Sequence, residues 1–187
     1  MSILGIIASS KLGAPAGAFE SIASATGTGS SQTITFSSIP STYQHLQIRG
    51  IARSTEAGSG TNYYMRLNSD TGSNYAYHRL SGNGTSATAA GSASQTSIFI
   101  GRAPGAGTTT GTMGVVIIDI LDYASTTKNK TVKHLMGQDS NNTYAGEISL
   151  RSGLWIDTSA ITSIDLILDN PNFATTTTFA LYGIKGA

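Results

Sequence analysis

His45, His78 and His134 are the three histidines of the chain, which has no cysteine. Neutral imidazoles could hold a metal ion or move a proton near neutral pH. They fall on three separate strand candidates, so a three-histidine metal centre would require three strand registers to coincide, and each reads instead as a half-buried strand residue. With so many serines a Ser/His/Asp combination can always be composed on paper and carries no weight. The stretch "NSDTGSN" (Asn68, Asp70, Asn74) resembles a calcium loop loosely, but lacks the spaced acids and terminal glutamate of an EF-hand. Asx residues beside glycine also simply make turns. The "GTG" of Gly27–Gly29 and the "GAG" of Gly105–Gly107 lack the strand–turn–helix context of a phosphate loop. No catalytic signature is present. The expectation is a chain with no catalytic residues, no metal site and no cofactor.

The remaining chemistry lies in aromatic rings. Tyr63, Tyr64, Tyr75 and Tyr77 cluster beside Arg66, His78 and Arg79. Rings stack on sugars, and Arg and Asn bond their hydroxyls. Tyr75, Tyr77 and Arg79 are therefore candidate glycan or host-surface contacts. Tyrosine is equally an ordinary amphipathic sheet residue or an interface anchor.

Composition limits the partners. Of 187 residues only 11% are charged, and the formal net charge is +1. Ordinary domains carry roughly 25% charged residues, so Ser, Thr, Asn and Gly must cover this surface. There is no electrostatic footprint for nucleic acid or an anionic membrane. Without cysteine there is no disulfide framework and no thiolate metal site.

From Gln32 onward the pattern is β. "QTITFSSIP" alternates Ile34 and Phe36 with threonines, and "YQHLQIRGIAR" alternates Leu46 and Ile48 with polar residues. "TNYYMRLNSD", "NYAYHRLSG", "TSIFIGR", "GTMGVVIIDILDYA", "KTVKHLMGQD", "EISLRSGLWID", "ITSIDLILD" and "TTFALYGIKG" complete about ten strand candidates. Val115–Leu121 is nearly continuous apolar and reads as a central strand covered on both faces. "GNGTSATAAGSASQ" and "RAPGAGTTTGTMG" read as long uncharged loops. Ion pairs across a long connection or hairpin account for the charges of "DILDYASTTKNKTVKHL"; the alternative is a polar contact surface to a neighbouring subunit. Antiparallel strands without helices predict a jelly-roll-like β-sandwich over residues 32–187. Phe36, Leu46, Ile48, Val116, Ile118, Leu150, Trp155, Ile164, Leu166, Phe179 and Leu181 are placed in or near its core.

Residues 1–31 read differently. Phe19, Ile22 and Ala23 lie at helical spacing, and Ala25–Ser31 reads as a flexible linker. The opening "MSILGIIASSK" has no basic residue before its short apolar run, unlike a signal peptide. A membrane span needs ~20 apolar residues. Ile3, Leu4, Ile6 and Ile7 are instead expected to order by docking on another protein or a symmetry mate.

Together "MSILGIIASSK", "ITFSSIPSTYQHLQIRGIAR", "DTGSNYAYH", "DILDYASTTKNKT" and the closing "FALYGIKG" resemble a family of small virion structural proteins of tailed bacteriophages, tail-fibre-like or decoration-like. The resemblance implies a β-sandwich displayed on the virion, attached through its N-terminus to other virion proteins, with no catalytic residues. The apolar opening segment and the low-charge surface predict a homo-oligomer, and analogy with fibres makes it a trimer. Two roles follow: a fibre-associated component touching a host-surface glycan, or a decoration or connector protein of capsid or tail.

Overall fold

The computed structural model describes residues 17–139 and 146–186. Ile3, Leu4, Ile6 and Ile7, the expected docking residues, lie outside the described residues. Among the described residues twelve β-strands and no helix form. They are β1 (Phe19–Thr26), β2 (Thr33–Phe36), β3 (His45–Ala52), β4 (Gly60–Leu67), β5 (Tyr75–Gly82), β6 (Ala87–Gln95), β7 (Ile98–Pro104), β8 (Gly114–Leu121), β9 (Lys130–Gln138), β10 (Glu147–Trp155), β11 (Ile164–Leu168) and β12 (Thr178–Ile184). An eight-stranded sheet runs β1-β12-β3-β8-β9-β10-β5-β6, and a four-stranded sheet runs β2-β11-β4-β7. Every strand pairing is antiparallel. The small sheet covers only part of the large one, with β7 lying over β8, β9, β10 and β5. The architecture is an all-β, two-layer sandwich; its eight-to-four split exceeds the eight strands of a jelly roll, so that likeness rests on the two-layer build.

The core follows the period of two. Leu46 and Ile48 of β3, Val116, Ile118 and Ile120 of β8, and Phe179 and Leu181 of β12 point inward from the large sheet. Ile34, Phe36, Met65, Leu67, Ile98, Ile100, Ile164 and Leu166 meet them from the small sheet. At the end of β10, Trp155 stacks on Tyr75 at 6.3 Å and donates its Nε1–H to Asp70 Oδ2 at 2.7 Å. Of the eleven residues placed in the core from sequence, Leu150 alone is misplaced: it is 51% exposed. Strand periodicity forbids Leu150 and Trp155 from sharing a face, and the tryptophan takes the interior.

Two strands arise where the sequence pattern points elsewhere. Phe19–Thr26 is the edge strand β1 on β12 rather than a helix, so the large sheet begins at Phe19, ahead of the boundary at residue 32. A register shift between Ser21 and Ala23 supplies the reason. A bulge inserts one residue and leaves Ile22 and Ala23 both packed against the core, which mimics helical spacing. The supposed linker after it is pinned: Gly27 N–H donates to Thr177 O and Gly29 N–H to Phe173 O, each at 3.0 Å. The second strand, β6, lies inside the expected loop "GNGTSATAAGSASQ" and pairs with β5. Its Ala, Ser, Thr and Gly side chains carry no alternation, so backbone pairing alone makes it a strand.

Candidate interaction surfaces

The three histidines stay apart. His45 opens β3 and accepts the Asp122 N–H through Nδ1 at 3.0 Å, His78 is exposed on β5, and His134 is fully buried on β9. Burial first, and the positive charge of Arg151 second, push the His134 pKa down to about 3. No group of His, Asp and Glu able to hold a metal ion occurs among the described residues. The Asp70 carboxylate of the loosely calcium-like loop is taken up by protein donors. It accepts from Gly72 N–H at 2.7 Å, Asn74 Nδ2 at 2.9 Å and Trp155 Nε1 at 2.7 Å. These bonds hold its pKa below the usual carboxylate range, Asn74 contributing most.

The tyrosines are dispersed by the pleat. Tyr75, Tyr77 and Arg79 do share a face of β5, but it is the inward one. Tyr75 has no exposed surface; its hydroxyl accepts Leu67 N–H at 3.1 Å and lies 3.2 Å from Leu67 O. Tyr75 is thus a core residue and cannot meet a glycan. Tyr77 is half-buried and packs edge-on against Phe99 at 5.9 Å. Tyr63 is buried against Phe173 and Phe179. Of the candidate contacts, Arg79 retains access. It lines a polar hollow of ≈ 200 Å³ under the overhanging β5–β6 hairpin, with Ser81, Thr88, Arg102 and Glu147 among its walls.

Behind that hollow sits a buried cation. Arg151 pairs in register with His134 on one side and Arg79 on the other. Its Nε donates to Ser149 Oγ at 2.9 Å, and its Nη2 meets Glu147 Oε1 at 2.8 Å. The guanidinium lies over the Phe99 ring at 4.1 Å. Lys130, also fully buried, donates to the carbonyls of Ser125, Lys128 and Thr158 at 2.8, 2.7 and 3.0 Å. These cations serve the fold: carbonyl and carboxylate partners offset their desolvation. The expected hairpin pairs form too, Lys128 with Asp122 at 2.6 Å and Lys133 with Asp119 at 3.3 Å.

The outer face of the large sheet is the surface that sequence reading missed. Val115–Leu121 is central as expected, but one face of it is bare: Val115, Ile117 and Leu121 are exposed. Cross-strand register joins them to neighbours. Ile117 pairs with Leu135, Leu135 with Leu150, and Leu150 with Leu80, and all four are exposed. One pleat along, Ile51 pairs with Val115, Val115 with Gly137, and Gly137 with Ile148; Ile148 is 62% exposed. The two rows make one apolar surface across β3, β8, β9, β10 and β5. Beside it Asp119 and Lys133 pair with each other, so this side of the stripe carries a neutralised pair. The signal was available: the alternation in "EISLRSGLW" places Ile148, Leu150 and Leu154 opposite Trp155.

No protein-family model, no curated protein and no solved structure matches this chain.

Proposed function

We propose that this chain is a structural protein of a tailed-bacteriophage particle, working as one β-sandwich unit of a larger assembly. The assignment to a particle rests on the resemblance of its sequence segments. The observation that carries the assembly role is the bare apolar face across five strands. Contiguous apolar surface beyond a few hundred Å² marks interaction sites in soluble proteins. Of the two roles the resemblance implies, decoration or connection fits better than host contact, because burial of Tyr75 and packing of Tyr77 on Phe99 remove the aromatic platform a sugar would stack on. The reading includes no catalytic step.

The test is location. An epitope-tagged copy expressed during phage growth should sediment with purified particles, and gold label should decorate fixed positions over capsid or tail. A chain left wholly in the soluble fraction overturns the proposal. A second reading keeps host contact, favoured by the polar hollow that Arg79 and Arg102 line. Under it, Arg79→Ala particles assemble normally but adsorb less to the host; unchanged adsorption removes it.

A further inference from the structure

We propose that the outer face of the eight-stranded sheet is a two-fold interface between two copies of this chain, packed sheet against sheet. Three observations choose a second copy as the occupant. The first is area. Ile51, Leu80, Val115, Ile117, Leu135, Ile148 and Leu150 are each about half exposed, and together they bare several hundred Å², near the ~800 Å² per partner of an ordinary stable interface.

The second is shape. The row Ile117–Leu135–Leu150–Leu80 is a ridge of large side chains, while the adjacent row is interrupted at Gly137 and Gly82. The furrow at these glycines opens into a hollow of ≈ 560 Å³ that Val115 and Ile148 also line. A two-fold axis lying between the rows and across the strands sets Leu135 of each copy over Gly137 of the other, and Leu80 over Gly82. Surfaces related in this way must be self-complementary: the same axis sets Ile117 over Val115 and Leu150 over Ile148 as apolar contacts, alternating with the two leucine-on-glycine positions. Packed sheets sit ~10 Å apart, the spacing interleaved leucines fill.

The third is that the fold itself does not require those glycines. A Cβ at Gly137 or Gly82 would come no nearer than 3.9 Å to any neighbour among the described residues, and neither has a left-handed backbone. Gly153, by contrast, lies against Ile98, where a Cβ would come within 2.7 Å. Gly82 closes β5, whereas Gly137 lies inside β9, where glycine weakens a strand and often marks the close approach of another surface. Charge does not oppose the contact, since the chain carries only +1. Packing of this kind gives a dimer, not the trimer of the fibre analogy, and it does not depend on the particle reading.

Sedimentation velocity of the full chain, and of its Gly137→Val and Leu135→Lys variants, tests this. The full chain should sediment as a dimer at micromolar concentration. At dilutions that keep copies apart Gly137→Val should leave the unfolding midpoint equal or higher, because valine suits a strand, yet at micromolar concentration it should weaken dimerisation about tenfold or more. Leu135→Lys should give a folded monomer by circular dichroism. A monomeric or trimeric full chain overturns the proposal, as does a dimer indifferent to both substitutions. A monomer that dimerises only after removal of residues 1–16 also overturns it, by showing that the chain's own N-terminal segment covers the face.

Discussion

Strand β10 presents Ser149, Arg151, Gly153 and Trp155 to the interior and Ile148, Leu150 and Ser152 to the outside. Strand β9 beside it buries Lys130 and His134 and exposes Leu135. On these two strands alone the expected partition is partly inverted, with Lys130 and Arg151 inside and large aliphatics outside, while Val132, Met136 and Trp155 keep the rest of their inner face apolar. The difference teaches where satisfaction comes from. Three carbonyls hold Lys130, and Glu147, Ser149 and the Phe99 ring hold Arg151, whose Nη1 alone is left without a hydrogen bond. The outer aliphatics have no comparable cover among the described residues.

The largest effect expected from breaking this comparison is in the interior. Trp155→Ala removes the stack on Tyr75 and the donor to Asp70, and should cost about 3–5 kcal/mol, read as a lower midpoint in urea unfolding. Five residues back on the same strand, Leu150→Ser should shift stability within ~0.5 kcal/mol at dilutions that keep copies apart. Similar costs for the two would mean that the outer face is packed within a single copy.

Next comes the buried histidine. His134 titrates near 6.5 when unfolded and about 3 when folded, so between those values the unfolded chain binds more protons. Stability is therefore fully present above 6.5 and falls as pH drops from 6.5 toward 3. Thermal melts at stepped pH should show this slope above the carboxylate range, and His134→Gln should flatten it. A wild-type midpoint that is level from neutral pH down to that range would show that the interior admits a charged imidazole.

A smaller effect sharpens the reassignment of β5. Tyr75→Phe leaves the buried Leu67 N–H without its acceptor and should cost about 1–3 kcal/mol in the same urea assay. Arg79→Ala, at the hollow, should leave the midpoint within ~0.5 kcal/mol. Equal and negligible costs at both positions would return Tyr75 to the surface. Smallest in stability is removal of Met1–Gly13, which should leave the circular dichroism of the sandwich unchanged while abolishing incorporation into particles. Normal incorporation would relocate attachment to the sheet face.

Alternation of apolar and polar residues, and at β8 a nearly continuous apolar run, made ten of the twelve strands legible. It failed at β1, where a bulge breaks the period, and at β6, where small side chains carry no period to read. For the candidate site, parity correctly grouped Tyr75, Tyr77 and Arg79 on one face of β5 but could not say which way that face points. The same ambiguity put Leu150 inside.

What the sequence by itself determined is the all-β class, the positions of the strands with an apolar pattern and the lack of any catalytic signature, all consequences of local pattern and residue chemistry. Only the tertiary structure decided which face of each strand is inward. That choice depends on which sheet covers which, and a four-stranded sheet can cover only one side of an eight-stranded one. The uncovered side keeps its leucines and isoleucines in the open, and a single strand read alone cannot show that.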